Sequence, residues 1–335
     1  GSCRKSTCKN FQFSSSSEFS EFNNIIVHKG QYLDRKNGVE TVQFNFEFLF
    51  LGVLVLGNCR DVRQFAKCIE PSISLGFVVE MVQNLGNMDP EFFERFLPGE
   101  EYKEFRGYLS AMKFTGNIYA MREGEIAFPN QPIIIVEGPL IEAQVLETPM
   151  LCIMNHQMAV ATKASRVCRA TNRPVSEFGS RRAHGPWAAT YGAKAAVIAG
   201  CASTSNILAG VMFDYGSSGT MAHSFVTAFG SSVAGEFKAF DTYIKTHKGE
   251  SIILLIDTYD TLKCGVLNAI KAYKENGIDD SYAPGYGVRL DSGDLAYLSI
   301  ECRRILDEHG LTQCRIFATN SLDEYLITDL ERQGA

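Results

Sequence analysis

In the C-terminal half of the chain, short apolar runs alternate with longer stretches whose apolar positions recur every three to four residues. Residues 196–199 (AVIA), 251–256 (SIILLI), 286–290 (YGVRL) and 314–318 (CRIFA) read as strands. Residues 261–274 and 295–309 read as helices between them. Strand–helix alternation of this kind predicts a parallel sheet with covering helices. Three of the runs end in a polar cluster: 257–260 (DTYD), 291–294 (DSGD) and 319–321 (TNS). Catalytic groups of barrels and open α/β sheets collect at the carboxyl ends of strands, so three clusters in register predict an active-site rim there.

Upstream the pattern differs. Helical periodicity covers residues 77–85, a segment opening at Asp89-Pro90, and residues 102–112. Residues 116–120 and 132–136 read as strands separated by Arg122-Glu123-Gly124, and residues 141–170 as one long helix rich in Ala, Leu, Met and Glu. The apolar run 48–57 (FLFLGVLVLG) falls far short of the about 20 residues needed to span a bilayer, and suits a buried strand. No membrane association is expected. The Ser-rich stretch 14–17 marks residues 1–35 as a mobile or divergent tail. An N-terminal α/β domain is expected over 36–140 and an α/β barrel-like domain over 141–335.

With 335 residues, 45% of them hydrophobic, the chain can fill a large core, which excludes a disordered or fibrous protein. Its 32 basic and 38 acidic residues give a net charge of −6, so a general nucleic-acid binder is excluded. The 10 cysteines contain no C-x-x-C pair and no zinc-ligand spacing. Segments such as Leu151-Cys152-Ile153 and Gly200-Cys201-Ala202 suggest reduced, buried thiols in a cytoplasmic protein. A small-ligand enzyme fits best.

Residues 177–183 (EFGSRRA) resemble a motif of the nicotinate phosphoribosyltransferases. Residues 204–206 (TSN), 219–225 (GTMAHSF), 256–259 (IDTY) and 288–294 (VRLDSGD) follow in that family's order and spacing. The resemblance implies an N-terminal α/β domain followed by an irregular, incomplete α/β barrel of the type II phosphoribosyltransferase kind. It implies a homodimer with shared active sites. It also implies a reaction in NAD salvage: nicotinate and phosphoribosyl pyrophosphate give nicotinate mononucleotide and pyrophosphate, assisted by ATP and magnesium.

Carried onto this sequence, the resemblance makes Phe178 the aromatic face for the pyridine ring. Arg289 becomes the cation for the nicotinate carboxylate and Thr220 the threonine beside the ring. Arg181 matches an arginine directed at the phosphates, with Arg182 as a weaker companion. Asp257 and Asp291 would hold ribose hydroxyls or hydrated magnesium and stabilise an oxocarbenium-like carbon. His223 matches the histidine phosphorylated from ATP.

The rival closest in chemistry is a nicotinamide phosphoribosyltransferase, which carries an acidic residue where this chain has Ser205. A carboxylate there would repel nicotinate, so Ser205 favours the acid over the amide. A non-catalytic paralogue that binds ligand without turnover is the rival of another class. The family's next strand would end in a glycine-rich loop for the 5′-phosphate; residues 329–335 end before it, so the barrel reads as truncated.

Overall fold

The computed structural model describes residues 31–36, 39–44, 90–121, 125–128 and 131–335. The apolar run 48–57, the helix expected over 77–85, the Asp89 cap, the Arg122–Gly124 break and the serine stretch 14–17 lie outside them.

Among the described residues the first strands, β1 (Gln31–Lys36) and β2 (Val39–Phe44), form an antiparallel pair with Gln31 opposite Phe44. Two short helices follow, α1 (Pro90–Phe96) and α2 (Lys103–Ser110), with Arg106 donating to the carbonyls of Leu97 and Gly99 between them. β3 (Asn117–Ala120) and β4 (Ile134–Glu137) pair antiparallel where the apolar runs predicted strands. The long helix α3 (Leu140–Arg169) lays Leu146, Met150, Met154 and Met158 into one buried cluster with Ile134 and Val136. That is a stripe at four-residue spacing, the repeat of one helix face. Cys152 lies two residues from Met150, on the opposite side, and is exposed. Expectation and structure differ there because an apolar neighbourhood in sequence is not a buried face on a helix.

The chain divides into two compact units: the described residues up to Ala164 with Gly179–Gly200, and Ser165–Phe178 with Cys201–Ala335. In the first unit residues 196–199 are not a strand. They complete helix α4 (Pro186–Ile198) and its cap at Ala199. Alanine is the best helix former, and its small side chain lets Ala195 and Ala199 pack closely against Ala161 of α3. With five alanines in Pro186–Ile198 the segment stays helical through the β-branched Val197 and Ile198, whereas SIILLI forms a strand.

The second unit opens with two short parallel strands, β5 (Ser176–Glu177) and β6 (Ser203–Thr204), in register Glu177–Thr204. Helix α5 (Ile207–Phe213) starts at the Asn206 cap, whose side-chain oxygen accepts from the Ala209 amide at 2.9 Å. Helices α6 (His223–Thr227) and α7 (Val233–Thr246) come next. β7 (Ile252–Leu255), β8 (Tyr286–Leu290) and β9 (Arg315–Ala318) then form a parallel sheet in that order. Helix α8 (Val266–Glu275) joins β7 to β8, α9 (Leu295–Glu308) joins β8 to β9, and α10 (Glu324–Gln333) follows. The fold is α/β, and the described strands do not close into a ring.

Ile252, Leu254, Val288 and Leu290 are fully buried, and cross-linking bonds reinforce the sheet. The Tyr273 hydroxyl, itself fully buried, donates to the Gly287 carbonyl at 2.6 Å. One glycine fixes the path from β7 into α8: a Cβ on Gly265 would lie 1.8 Å from the Ile256 carbonyl oxygen. Only glycine permits that approach.

Candidate functional site

The second unit gathers most of the residues singled out from sequence at the carboxyl ends of β5 through β9. Asp257 follows β7 directly, Arg289 and Asp291 lie at the end of β8, and Thr319 follows β9. Phe178 and Ser205 are the next residues along β5 and β6, with the Ser205 amide bonded to the Glu177 carbonyl at 2.9 Å. Buried Thr204 anchors this strand pair, its hydroxyl donating to Glu177 Oε2 at 2.7 Å.

Arg289 is the hub. Its Nη1 donates to the Thr220 hydroxyl at 2.8 Å and to the Met221 carbonyl at 3.4 Å. Nε donates to Thr319 Oγ1 at 3.0 Å, and Nη2 to Asp291 Oδ1 at 2.7 Å. A guanidinium has five N–H donors, so one on Nη2 is left for a ligand. Its carbon stands 5.9 Å from the centroid of the Phe178 ring, within the range where a cation and an aromatic face attract. An aromatic wall, a fixed cation and a hydroxyl therefore converge on one place.

The carboxylates form a second group. Asp257 Oδ2 accepts from the Asp291 amide at 2.8 Å and from the Ser292 hydroxyl at 2.6 Å. Its Oδ1 is buried without a hydrogen-bond partner. Burial pulls the Asp291 carboxyl upward, but the Thr319 hydroxyl and the Arg289 charge outweigh it and hold Asp291 below its ordinary range. His223 opens α6 and reaches over both: Nε2 lies 3.6 Å from Asp291 Oδ2 and 3.9 Å from Asp257 Oδ1. Its other nitrogen, Nδ1, meets Thr258 Oγ1 at 3.1 Å. The His223 side chain is 42% exposed while Asp257 is 2% exposed, so the histidine faces solvent above a buried acid.

Arg181 and Arg182 are not among the residues gathered here. They fall in the first unit, in a 3₁₀ turn over Ser180–Arg182, and both are exposed. Thr258, Ser292 and Thr319 stood in the polar strand-end clusters without a task; the structure gives each a bond to a side chain singled out from the sequence. Their position at strand ends was the one signal available. After Thr319 the backbone turns through two consecutive non-glycine residues at positive φ, Asn320 at 80° and Ser321 at 55°, an uncommon conformation of the kind that recurs at functional rims.

Residues 78–155 match the family model of the nicotinate phosphoribosyltransferase N-terminal domain. The chain is 48% identical over 218 residues to nicotinate phosphoribosyltransferase of Bacillus subtilis, covering 65% of this chain and 43% of that protein. The chain belongs to the nicotinate phosphoribosyltransferase family. Another family member, nicotinate phosphoribosyltransferase pncB2 of Mycobacterium tuberculosis, is 44% identical over 233 residues, covering 69% of this chain and 48% of that protein. The chain thus spans about half the length of these curated relatives. Among solved structures, human nicotinic acid phosphoribosyltransferase is similar with a TM-score of 0.66 and 28% identity, covering 78% of this chain and 62% of that one. A nicotinate-nucleotide pyrophosphorylase from Pyrococcus furiosus gives a TM-score of 0.57 and 30% identity, covering 65% of this chain and 55% of that one.

Proposed function

We propose that this protein transfers the phosphoribosyl group of phosphoribosyl pyrophosphate to nicotinate, yielding nicotinate mononucleotide and pyrophosphate in NAD salvage. One observation carries the reading: Arg289, locked by Thr220, Thr319 and Asp291, stands beside the Phe178 ring with a donor to spare. A pyridine ring lies against Phe178 and its carboxylate accepts from that donor, and from the Thr220 hydroxyl once its proton turns from the Met221 carbonyl. Ser205, beside Phe178 on the paired strand, adds no negative charge, which supports the acid over the amide.

The ring nitrogen attacks the anomeric carbon as pyrophosphate departs, and positive charge grows on the sugar. Asp257 and Asp291 stabilise that charge, since fixed carboxylates in a partly dry site need no reorganisation. The same carboxylates fit a hydrated magnesium ion, because Asp257 Oδ1 is buried and lacks a protein partner. When bound, magnesium neutralises the leaving pyrophosphate. Among the described residues there is no group of three or more His, Cys, Asp or Glu that could hold a metal ion. His223 would accept the γ-phosphoryl group of ATP on a ring nitrogen as the bond to the β-phosphate oxygen breaks and ADP leaves, its exposed side giving room for the donor. Arg181 and Arg182 serve the phosphates as exposed cations.

We assign a homodimer, supported by the apolar surface of α5, where Ile207 is 72% and Val211 78% exposed. The cytoplasm suits the free thiols of the described cysteines. Among the described residues no helix is long and apolar enough to cross a membrane.

The test is formation of nicotinate mononucleotide from nicotinate, with and without phosphoribosyl pyrophosphate, alongside incubation with γ-labelled ATP. Product that requires phosphoribosyl pyrophosphate, and label that disappears in His223→Ala, are expected. Label that persists in the variant removes His223 from the reaction.

A further inference from the structure

We propose that Cys168 and Cys201 form an oxidisable dithiol, a modification site at which a peroxide installs an intramolecular disulfide. Their sulfurs lie 3.6 Å apart, in contact, although the residues are 33 positions apart in sequence. Cys168 occupies the last turn of α3 and is half-buried, so a small oxidant can reach it. Cys201 is buried behind it. Bond formation requires the sulfurs to close by ~1.5 Å, to the usual ~2.05 Å. Gly200, at φ 118°, precedes Cys201 and Ala202 follows it, so both chain neighbours of the moving residue are small.

The pair is chemically unequal. A hydrogen bond from Cys201 pulls the Cys168 thiol below its ordinary range, while the same contact and burial push Cys201 up. Arg166 and Arg169 stand in the same turn, Arg166 paired with Glu324 at 2.9 Å. Cys168 is therefore the thiolate that reacts first. Its sulfur attacks one peroxide oxygen, the O–O bond breaks, and Cys168 becomes a sulfenic acid as the second oxygen leaves as hydroxide and is protonated to water. The Cys201 sulfur then attacks the Cys168 sulfur. The S–O bond breaks, the hydroxide takes the Cys201 proton, and a second water departs with the S–S bond formed. Two thiols and one peroxide thus give one disulfide and two waters.

The position gives the bond a consequence. Cys201 lies two residues before β6, and the neighbouring Ala202 amide donates to the Val175 carbonyl at 2.8 Å, one residue before β5. A disulfide would tie the end of α3 to the strand pair that leads to Phe178 and Ser205. This inference stands apart from the proposed reaction, since it needs no substrate.

Graded hydrogen peroxide treatment of the native protein, followed by alkylation and peptide mass mapping, tests it. The expected result is loss of two hydrogens, a Cys168–Cys201 linked peptide, and full reversal by dithiothreitol. Exposed Cys152 remains alkylatable at the dose that links the pair. Cys168→Ser and Cys201→Ser each abolish the link, and in Cys201→Ser a dimedone adduct accumulates on Cys168. Cys201→Ala replaces the serine variant should burial of a hydroxyl prevent folding. Linkage of any other pair, or oxygen adducts on Cys168 of the wild type without a link, overturns the proposal.

Discussion

The Thr258 hydroxyl holds Nδ1 of His223 at 3.1 Å, and this bond fixes which ring nitrogen faces Asp257 and Asp291. With Nδ1 engaged, Nε2 is the nitrogen presented to the carboxylates. Thr258→Val keeps the volume but removes the partner. It should lower ATP-dependent labelling of His223 about tenfold, the usual worth of one such hydrogen bond. Thr258→Ser, which restores a hydroxyl, should recover most of the label. Equal labelling of the valine variant and the wild type would show that the ring is oriented by the carboxylates alone.

Arg289→Lys tests the hub. Lysine carries the charge but not the planar fork that bonds Thr220, Thr319 and Asp291 together. The KM for nicotinate should rise between about 10- and 100-fold, because hydrogen bonds to charged groups contribute about 1.5–3 kcal/mol. Steady-state kinetics with nicotinate varied at saturating phosphoribosyl pyrophosphate would read the effect. An unchanged KM would place the substrate carboxylate elsewhere.

Ser205→Asp introduces the charge that the proposed substrate would meet next to Phe178. Turnover of nicotinate should fall far more than turnover of nicotinamide, since an amide can donate to the new carboxylate and an anion is repelled. Parallel assays of both substrates decide the point. Equal losses would count against Ser205 as a discriminator.

Asp280 gives a prediction for acid. Thr312, Tyr286 and the Gln313 amide all donate to its carboxylate, and together they hold it down to about 2. The folded state therefore prefers ionised Asp280 more than the unfolded chain does, whose ordinary value is about 3.9. This contribution is complete above about pH 4 and is lost as pH falls toward about 2. Asp280→Asn should lower the melting temperature at neutral pH and flatten the acid limb of a stability curve. An unchanged acid limb would show that the network does not couple to folding.

β7, β8 and β9 were legible because branched and aromatic side chains in short runs have few other uses, and the observed strands lie within a residue or two of those runs. Residues 196–199 were misread because Val197 and Ile198 favour strands locally, while the alanine-rich segment before them carries the helix through. The approach of Phe178, Thr220, His223, Asp257, Arg289 and Asp291 followed from motifs lying at strand ends. The bonds of Thr258, Ser292 and Thr319 did not, since a hydroxyl in a solvated loop and one bonded to a candidate site residue look alike in sequence. What separates them is contact across 28 to 35 positions, as in Thr319 with Asp291 and Ser292 with Asp257.

The pairing of β5 with β6 bears on the order of folding. It joins Ser176 to Ser203 across 27 positions through a ladder only two residues long. A parallel pair of that span must first close its loop, and so few ladder bonds return little of the entropy spent. Residues 252–290, by contrast, close a loop of similar span but pair β7 with β8 over a ladder twice as long, inside a buried core that returns far more of that entropy. Phe178 and Ser205 should therefore be among the last parts of the second unit to become ordered, and among the first to open in native-state hydrogen exchange. A ligand seated on Phe178 would hold that opening shut, slowing exchange at the Ser205 amide before it changes exchange in the sheet.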